Sequence, residues 1–92
     1  MTTYHFRIIA SGPFGARPTD DELLDATDAL GESGCTDASI GVHAKGLELE
    51  FDRSHQSLQE AIVSAVQDVE RAGFHVESIQ MDREAVLRRS AE

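Results

Sequence analysis

Four histidines and one cysteine are the residues of this sequence that could hold a metal ion. His5, His43, His55 and His75 stand on four different segments, and no two of them form an H-x-H or H-x-x-x-H pair. Histidine and cysteine sites usually draw two ligands from one short segment. We therefore predict no metal site and no cofactor, and we interpret the histidines as solvent-exposed or strand-end residues.

Cys35 is the candidate nucleophile, and nothing in the sequence activates it. It follows the glycine predicted to end a helix and precedes a predicted strand, where a small buried side chain is expected. A lone cysteine forms no internal disulfide, which is typical of a reducing compartment. No carboxylate pair stands in apolar surroundings that would separate two pKa values. We predict no catalytic residues and no enzyme activity.

A loop with two glycines and a proline, from Ser11 to Arg17, runs from a predicted strand into a predicted helix, where phosphate-binding loops occur. Its sequence, SGPFGAR, has neither the G-x-G-x-x-G spacing nor G-K-[ST]. Asp20, Asp21 and Glu22 would stand where an anion binds. The pattern favours a connecting loop, and a small ligand near it stays an open alternative.

The charge balance limits the classes of partner. Seventeen acidic and eight basic residues give a net charge of −9. Such a field repels phosphate backbones and favours basic partners, so we expect no direct contact with nucleic acid. No apolar run approaches the roughly 18 residues of a membrane helix, and the first residues lack the pattern of a signal peptide. We expect a cytoplasmic protein without a membrane contact.

Alternating and helical apolar patterns predict the elements that would position these residues. Alternation predicts four strands, at residues 4–10, 38–44, 47–52 and 74–81, with a hairpin turn at Lys45-Gly46. S/T-x-x-E capping boxes begin two helices at Thr19 and Ser57, and Gly34 and Gly73 end them. The last strand changes phase between Val76 and Ile79, which predicts either a bulge near residues 77–78 or apolar side chains on the uncovered face.

The order β-α-β-β-α-β predicts an α+β, ferredoxin-like fold. Four antiparallel strands would lie in the order 4-1-3-2, with both helices on one face of the sheet. Residues 1–83 would form one domain. Residues 84–92 would form a C-terminal tail that contains two of the seven arginines of the chain.

The sheet face without helices is the candidate interaction surface. The predicted order brings the outward residues of the first and third strands together. This predicted partner-binding set consists of Arg7, Ile9, Glu48, Glu50 and Asp52. The opposite charges also support each other across strands. The acidic row could dock a basic segment. Ile9, and Ile79 if it emerges on the same face, predict a homodimer.

The segments Tyr-His-Phe-Arg-Ile-Ile, Ser-Gly-Cys-Thr-Asp-Ala-Ser-Ile-Gly and Leu-Glu-Leu-Glu-Phe-Asp-Arg carry a resemblance. With the second helix they resemble the ferredoxin-like N-terminal domain of bacterial antitoxin-like, helix-turn-helix regulatory proteins, over residues 4 to about 83. The resemblance implies an interaction or regulatory domain and names no catalytic residue. After Glu84 there is no room for a helix-turn-helix, so the resemblance implies no DNA binding here.

We therefore predict a non-catalytic protein-interaction or regulatory domain, with a basic or extended protein segment as its partner. One alternative is a small-ligand-binding regulatory domain with a site near Gly12, Gly15 and the first helix. Another is a dimeric α+β barrel enzyme of the monooxygenase or isomerase type, which would need an apolar open face. A melting temperature that rises with amino acids would favour the first, and oxidation of a quinol the second.

Overall fold

The fold is seen in a computed structural model that describes residues 2–12, 18–43 and 46–81. The elements are β1 (Thr2–Ser11), α1 (Asp20–Glu32), β2 (Ala38–His43), β3 (Gly46–His55), α2 (Leu58–Arg71) and β4 (His75–Gln80). The predicted order of strands and helices is confirmed. The middle of the predicted loop at residues 13–17, Lys45 of the predicted turn and the predicted tail at residues 84–92 lie outside the described residues.

The four strands form one antiparallel sheet in the order β2-β3-β1-β4. This is the predicted order 4-1-3-2 counted from the other edge. The central pair, β1 and β3, sets Phe6 opposite Phe51 and Arg7 opposite Glu50. β2 ends with His43 opposite Gly46 of β3, as expected of a hairpin.

Both helices pack on the same side of the sheet and share one core with it. The stacked rings of Phe6 and Phe51 have centroids 5.3 Å apart and planes at 11°. The other buried members of this core are Ile8, Ala10, Ala26, Leu30, Cys35, Leu47, Leu49, Ala61, Ala65, Val69 and Phe74. The buried position of Cys35, 4% exposed, is the one that its sequence context predicts. Neither helix, of 13 and 14 residues, is long and apolar enough to cross a membrane.

The predicted capping box is complete at the start of α1, and only one of its two hydrogen bonds is present at the start of α2. Thr19 Oγ1 accepts a hydrogen bond from Glu22 N at 3.2 Å, and Thr19 N donates to Glu22 Oε1 at 2.9 Å. In α2, Ser57 Oγ accepts from Glu60 N at 3.1 Å. The predicted return bond from the Glu60 side chain is wrong, because Glu60 Oε2 lies 3.2 Å from His55 Nδ1 instead.

The helix ends lie where the two glycines predict them. Gly34 and Gly73 have φ angles of 110° and 98°, which residues with a Cβ rarely adopt. Cys35 N donates to Leu30 O at 2.9 Å and Phe74 N to Val69 O at 3.3 Å, which are the long bonds of a Schellman ending. Each glycine thereby ends a helix, and the residue that follows it, Cys35 or Phe74, enters the core.

The phase change in the last strand is a β-bulge, one of the two predicted outcomes. Ile9 lies opposite Ser78, while Ala10 lies opposite Val76, so Glu77 is the extra residue. Ile79 consequently lies opposite Ile8, whose side chain belongs to the core. Directly opposed residues share a face, so Ile79 lies on the helix side and adds no apolar surface to the other side.

Candidate functional site

The sheet face without helices, here called the open face, brings the predicted site residues together. The register sets His5 opposite Asp52, Arg7 opposite Glu50 and Ile9 opposite Glu48. Because side chains alternate along a strand, these six residues point away from the core on two adjacent central strands. Glu48, Glu50 and Asp52 therefore form a row on β3, which we call the acidic row.

Two carboxylates of the acidic row pair with side chains on β1. His5 Nδ1 contacts Asp52 Oδ1, and Arg7 Nη1 lies 3.8 Å from Glu48 Oε1. Half-exposed pairs of this kind stabilise a protein by about 0–1 kcal/mol. The exposed Glu50, in the middle of the row, has no ion pair among the described residues.

Ile9 differs from the other members of the predicted set because it is almost completely buried, at 2% exposure. Its cross-strand neighbours are Glu48 on β3 and Ser78 on β4, so its register position is on the open face. It therefore presents no free apolar surface to a partner. The accessible part of the predicted set is polar and mostly acidic.

A small cavity lies on the open face where β1 and β3 meet. Its volume is about 120 Å³, and it is lined by His5, Phe6, Arg7, Glu50, Phe51, Asp52 and Gln80. Pockets for small organic ligands usually hold about 300–1,000 Å³. The open face of the described chain is thus a better surface for an extended polypeptide than for a small molecule.

Small residues continue the open face from the acidic row to the sheet edge. On β2, Ser39 lies opposite Glu50 and Gly41 opposite Glu48. A Cβ placed on Gly41 would meet no heavy atom within 4 Å. Only small side chains therefore lie between the carboxylates of Glu48 and Glu50 and the edge of the sheet.

A second polar cluster, centred on Arg53, lies on the helix side of the sheet and was not predicted. Arg53 is 8% exposed, and all five N–H groups of its guanidinium donate hydrogen bonds. Nε donates to Asp37 Oδ2 at 2.8 Å and Nη2 to Asp37 Oδ1 at 2.9 Å. Nη2 also donates to Gly34 O at 3.0 Å, and Nη1 donates to Ser64 Oγ at 3.1 Å and Asp68 Oδ2 at 3.0 Å.

The Arg53 cluster is structural rather than a binding site. Its guanidinium has no donor left for a ligand, and its carbon lies 5.0 Å from the centroid of the Phe51 ring. No buried side-chain nitrogen or oxygen lacks a hydrogen-bond partner within the described residues. The cluster ties the end of α1, the segment before β2, strand β3 and helix α2 to one another.

The cluster changes the pKa of the groups in and beside it. Desolvation would raise the pKa of the Asp37 carboxyl, but the hydrogen bonds and charge of Arg53 outweigh it and lower that pKa. The hydrogen bond to Asp37 raises the pKa of Arg53 despite desolvation. Desolvation, with the charge of Asp68, raises the pKa of the Cys35 thiol to about 11. Cys35 is therefore protonated and a poor nucleophile at neutral pH.

One signal in the sequence points to Arg53. Leu47, Leu49 and Phe51 face the core at steps of two residues, and Arg53 is the next position of the same series. A charged residue in the core phase of a strand requires charged partners, because burial of an unpaired charge is costly. The partners, Asp37 and Asp68, stand 16 and 15 residues away, and no local pattern connects them to Arg53.

Three of the four histidines lie apart from one another in the structure. His5 pairs with Asp52, His55 with Glu60 and His75 with Glu77, at three separate places. The part of the chain that the structure describes contains no group of three potential ligands arranged around one point.

Comparison with known proteins gives no relative from which a function could be inferred. No model of a protein family matches the sequence, and no match was found among the curated proteins or among the solved structures.

Proposed function

We propose that this chain is a non-catalytic protein-interaction domain of the ferredoxin-like type, which docks a basic segment of another protein on its open face. The observation that carries the proposal is the acidic row, with three carboxylates on one exposed face and Glu50 without an ion pair among the described residues. Residues two apart on a strand are roughly 7 Å apart. An extended segment has the same repeat, so alternate lysines or arginines would match the row.

The energetics favour recognition by charge. The net charge of −9 raises the rate of encounter with a cationic partner and suppresses acidic ones. Exposed pairs are screened over a Debye length of about 8 Å at physiological salt, so affinity should fall as salt rises. The resemblance to antitoxin-like domains implies an interaction or regulatory domain, which agrees with a protein partner. We propose that the two proteins meet in the cytoplasm.

The expected homodimer does not fit the open face. Two copies stacked through it would oppose Glu48, Glu50 and Asp52 of one chain to the same residues of the other. Like charges in opposition are destabilising, and Ile9, which motivated the expectation, is buried. Self-association, if it occurs, should use another surface.

Charge reversal tests the docking proposal. Glu48→Lys/Glu50→Lys should lose proteins that the wild type captures from lysate of the source cell. Each captured protein is then purified and titrated at low and physiological salt, where we expect weaker binding at the higher salt. The control, Asp28→Lys/Glu70→Lys, makes the same change at two exposed helix positions away from the open face. Equal loss with both double variants, or equal retention, would show that the open face is not the docking surface.

One cavity supports the small-ligand alternative. It has a volume of about 320 Å³ and lies between α1 and the start of β4, lined by Glu22, Asp25, Ala26, Ala29, Ala72, Gly73 and Phe74. An apolar floor with two carboxylates would select an organic cation. A melting temperature that rises with an aromatic amine, and no longer rises in Asp25→Asn, would favour this function over docking.

A further inference from the structure

The geometry points to strand addition at the edge of β2 as the way the partner is held, and we propose an extended segment with alternating basic and apolar residues as that partner. The inference rests on the proposed docking function and adds its binding mode and its sequence pattern. It would place the partner beside Ser39 and Gly41, next to the acidic row, rather than across the middle of the open face.

β2 is an edge strand without the usual protection against pairing. It is the first strand in the sheet order, and no described strand pairs with its outer side. Edge strands commonly carry lysine, proline or an inward-pointing charge that blocks a further strand. The β2 sequence, Ala-Ser-Ile-Gly-Val-His, has no lysine and no proline, and its residues on the helix side, Ala38, Ile40 and Val42, are apolar.

The hydrogen-bond alternation determines which backbone groups are free for a partner. Asp52 N donates to Asp37 O at 3.0 Å, so this pair directs its backbone groups towards each other. In an antiparallel ladder such pairs alternate with pairs whose N–H and C=O groups point outwards. Ala38, Ile40 and Val42 are therefore the residues that offer N–H and C=O groups at the outer edge.

The open face beside β2 favours basic residues in the added strand. Side chains opposite Ser39 and Gly41 would lie on the open face, two strand spacings or roughly 10 Å from Glu50 and Glu48. Lysine and arginine are long enough to cross that distance, and Ser39 and Gly41, which lie between, have small side chains or none. Partners with short or acidic side chains at these positions would bring no cation to Glu50, which has no ion pair among the described residues.

The other face of the added strand favours apolar residues. Val42 lies opposite Leu47, on the helix side, yet it is 52% exposed at the sheet edge. Ile40 lies on the same side and is half-buried against the core. An apolar side chain next to Val42 would remove its surface from water and extend the core by one strand. The expected partner therefore alternates, with one face basic and the other apolar.

A second copy of this chain is a poorer occupant. Pairing of β2 with β2 would bring neither lysine nor arginine to the acidic row, because the strand has none. It would also bring two chains of net charge −9 together. A basic partner satisfies both the edge and the carboxylates.

The test uses a short synthetic peptide in which arginine and valine alternate, with a scrambled peptide of the same composition as control. Val42→Pro removes one outward N–H, and the preceding Gly41 has no Cβ to clash with the proline ring. We expect it to weaken binding of the alternating peptide about tenfold. Val42→Thr keeps the N–H and the branched shape and should stay within about twofold of wild type. Circular dichroism would show whether each variant is folded.

A measurement on the wild type keeps the test decisive if Val42→Pro does not fold. Hydrogen exchange by NMR should show new protection of the Ile40 and Val42 amides in the presence of the alternating peptide. The Ser39 and Gly41 amides, which already bond to β3, should change little. Exchange that slows at none of these amides would overturn strand addition.

The outcomes separate the two proposals. If Glu48→Gln/Glu50→Gln weakens binding while folded Val42→Pro binds as the wild type does, docking stands and strand addition is wrong. If the glutamine variant binds equally well, both are wrong. Equal affinity for the scrambled peptide would overturn the alternating pattern. A wild-type dimer in light scattering that Val42→Pro converts to monomer would show that a second copy occupies the edge, contrary to the proposal.

Discussion

Arg53 and Asp37 form a two-point ion pair, with Nε 2.8 Å from one carboxylate oxygen and Nη2 2.9 Å from the other. The pair joins strand β3 to the segment that leads into β2. The remaining donors of the guanidinium reach α2 and the end of α1. Each neighbour thus contributes to holding β2, the edge at which we propose strand addition, against the rest of the sheet.

Replacement of Arg53 by methionine should lower the free energy of unfolding by about 2–4 kcal/mol. Removal of one partner of a buried pair costs about 3–5 kcal/mol, and the expectation is smaller because the Asp37 and Asp68 side chains stay 28% and 17% exposed. Urea unfolding measures the change. The matched control is Arg71→Met, which removes an exposed guanidinium from the same Asp68 and should cost under about 1 kcal/mol. Equal losses in the two variants would contradict the assigned role of Arg53.

Acid should destabilise the protein through Asp37. Its pKa is lower in the folded chain than its ordinary value of 3.8, so the folded state binds the proton less well than the unfolded state. The contribution is complete above pH about 4 and is lost as the pH falls through the lower, folded pKa. Urea unfolding from pH 6 downwards should show wild type and Asp37→Asn approaching each other in stability. Asp28→Asn, an exposed change on α1, should leave the acid-induced loss in place.

Cys35 should resist alkylation while the protein is folded. Its pKa of about 11 leaves little thiolate at pH 8, and its side chain is buried. Mass spectrometry after iodoacetamide treatment should show an unmodified chain in buffer and a modified chain in urea. Stability should also decline as the pH rises above the ordinary value of 9.0, because the unfolded state releases the thiol proton first. Rapid labelling of the folded chain would show that the site opens readily.

Two glycines of the first helix region should respond in opposite ways to alanine. Gly34→Ala forces a Cβ to 2.8 Å from Asp68 Oδ2 at a φ of +110°, and we expect a loss of about 1–3 kcal/mol. Gly31→Ala lies within α1 with no heavy atom in range of the new Cβ, and we expect a gain of up to about 1 kcal/mol. Thermal melts of both variants decide the matter, and a shift in the same direction would contradict the account of how α1 ends.

The elements of the fold follow from local signals, and the interactions among them do not. Thr19 with Glu22 predicts a helix start because the two residues bond within one turn. The phase change around Glu77 limits the last strand to two outcomes, of which the bulge is one, because alternation is a local property. Glu60 shows the limit: its carboxylate has a competing partner in His55, which the sequence places outside the capping motif.

The sequence predicts which residues lie on the open face, but it does not predict how exposed each of them is. Alternation correctly sets Arg7, Ile9, Glu48, Glu50 and Asp52 on one side of the sheet. It cannot predict that Ile9 is 2% exposed, because burial depends on atoms from distant segments. Arg53 was missed for the same reason, since its partners approach it only after the chain has folded.

The complete hydrogen bonding of the Arg53 guanidinium also has a consequence for partial unfolding of the domain. The Arg53 guanidinium joins four segments. Release of any one of them leaves a charge that is buried away from water without some of its hydrogen-bond partners. Detachment of α2 alone, or of β2 with its preceding turn alone, therefore carries an electrostatic cost that complete unfolding avoids by returning the charge to water. The sheet edge and the second helix should accordingly lose their slow-exchanging amides together, as one cooperative unit.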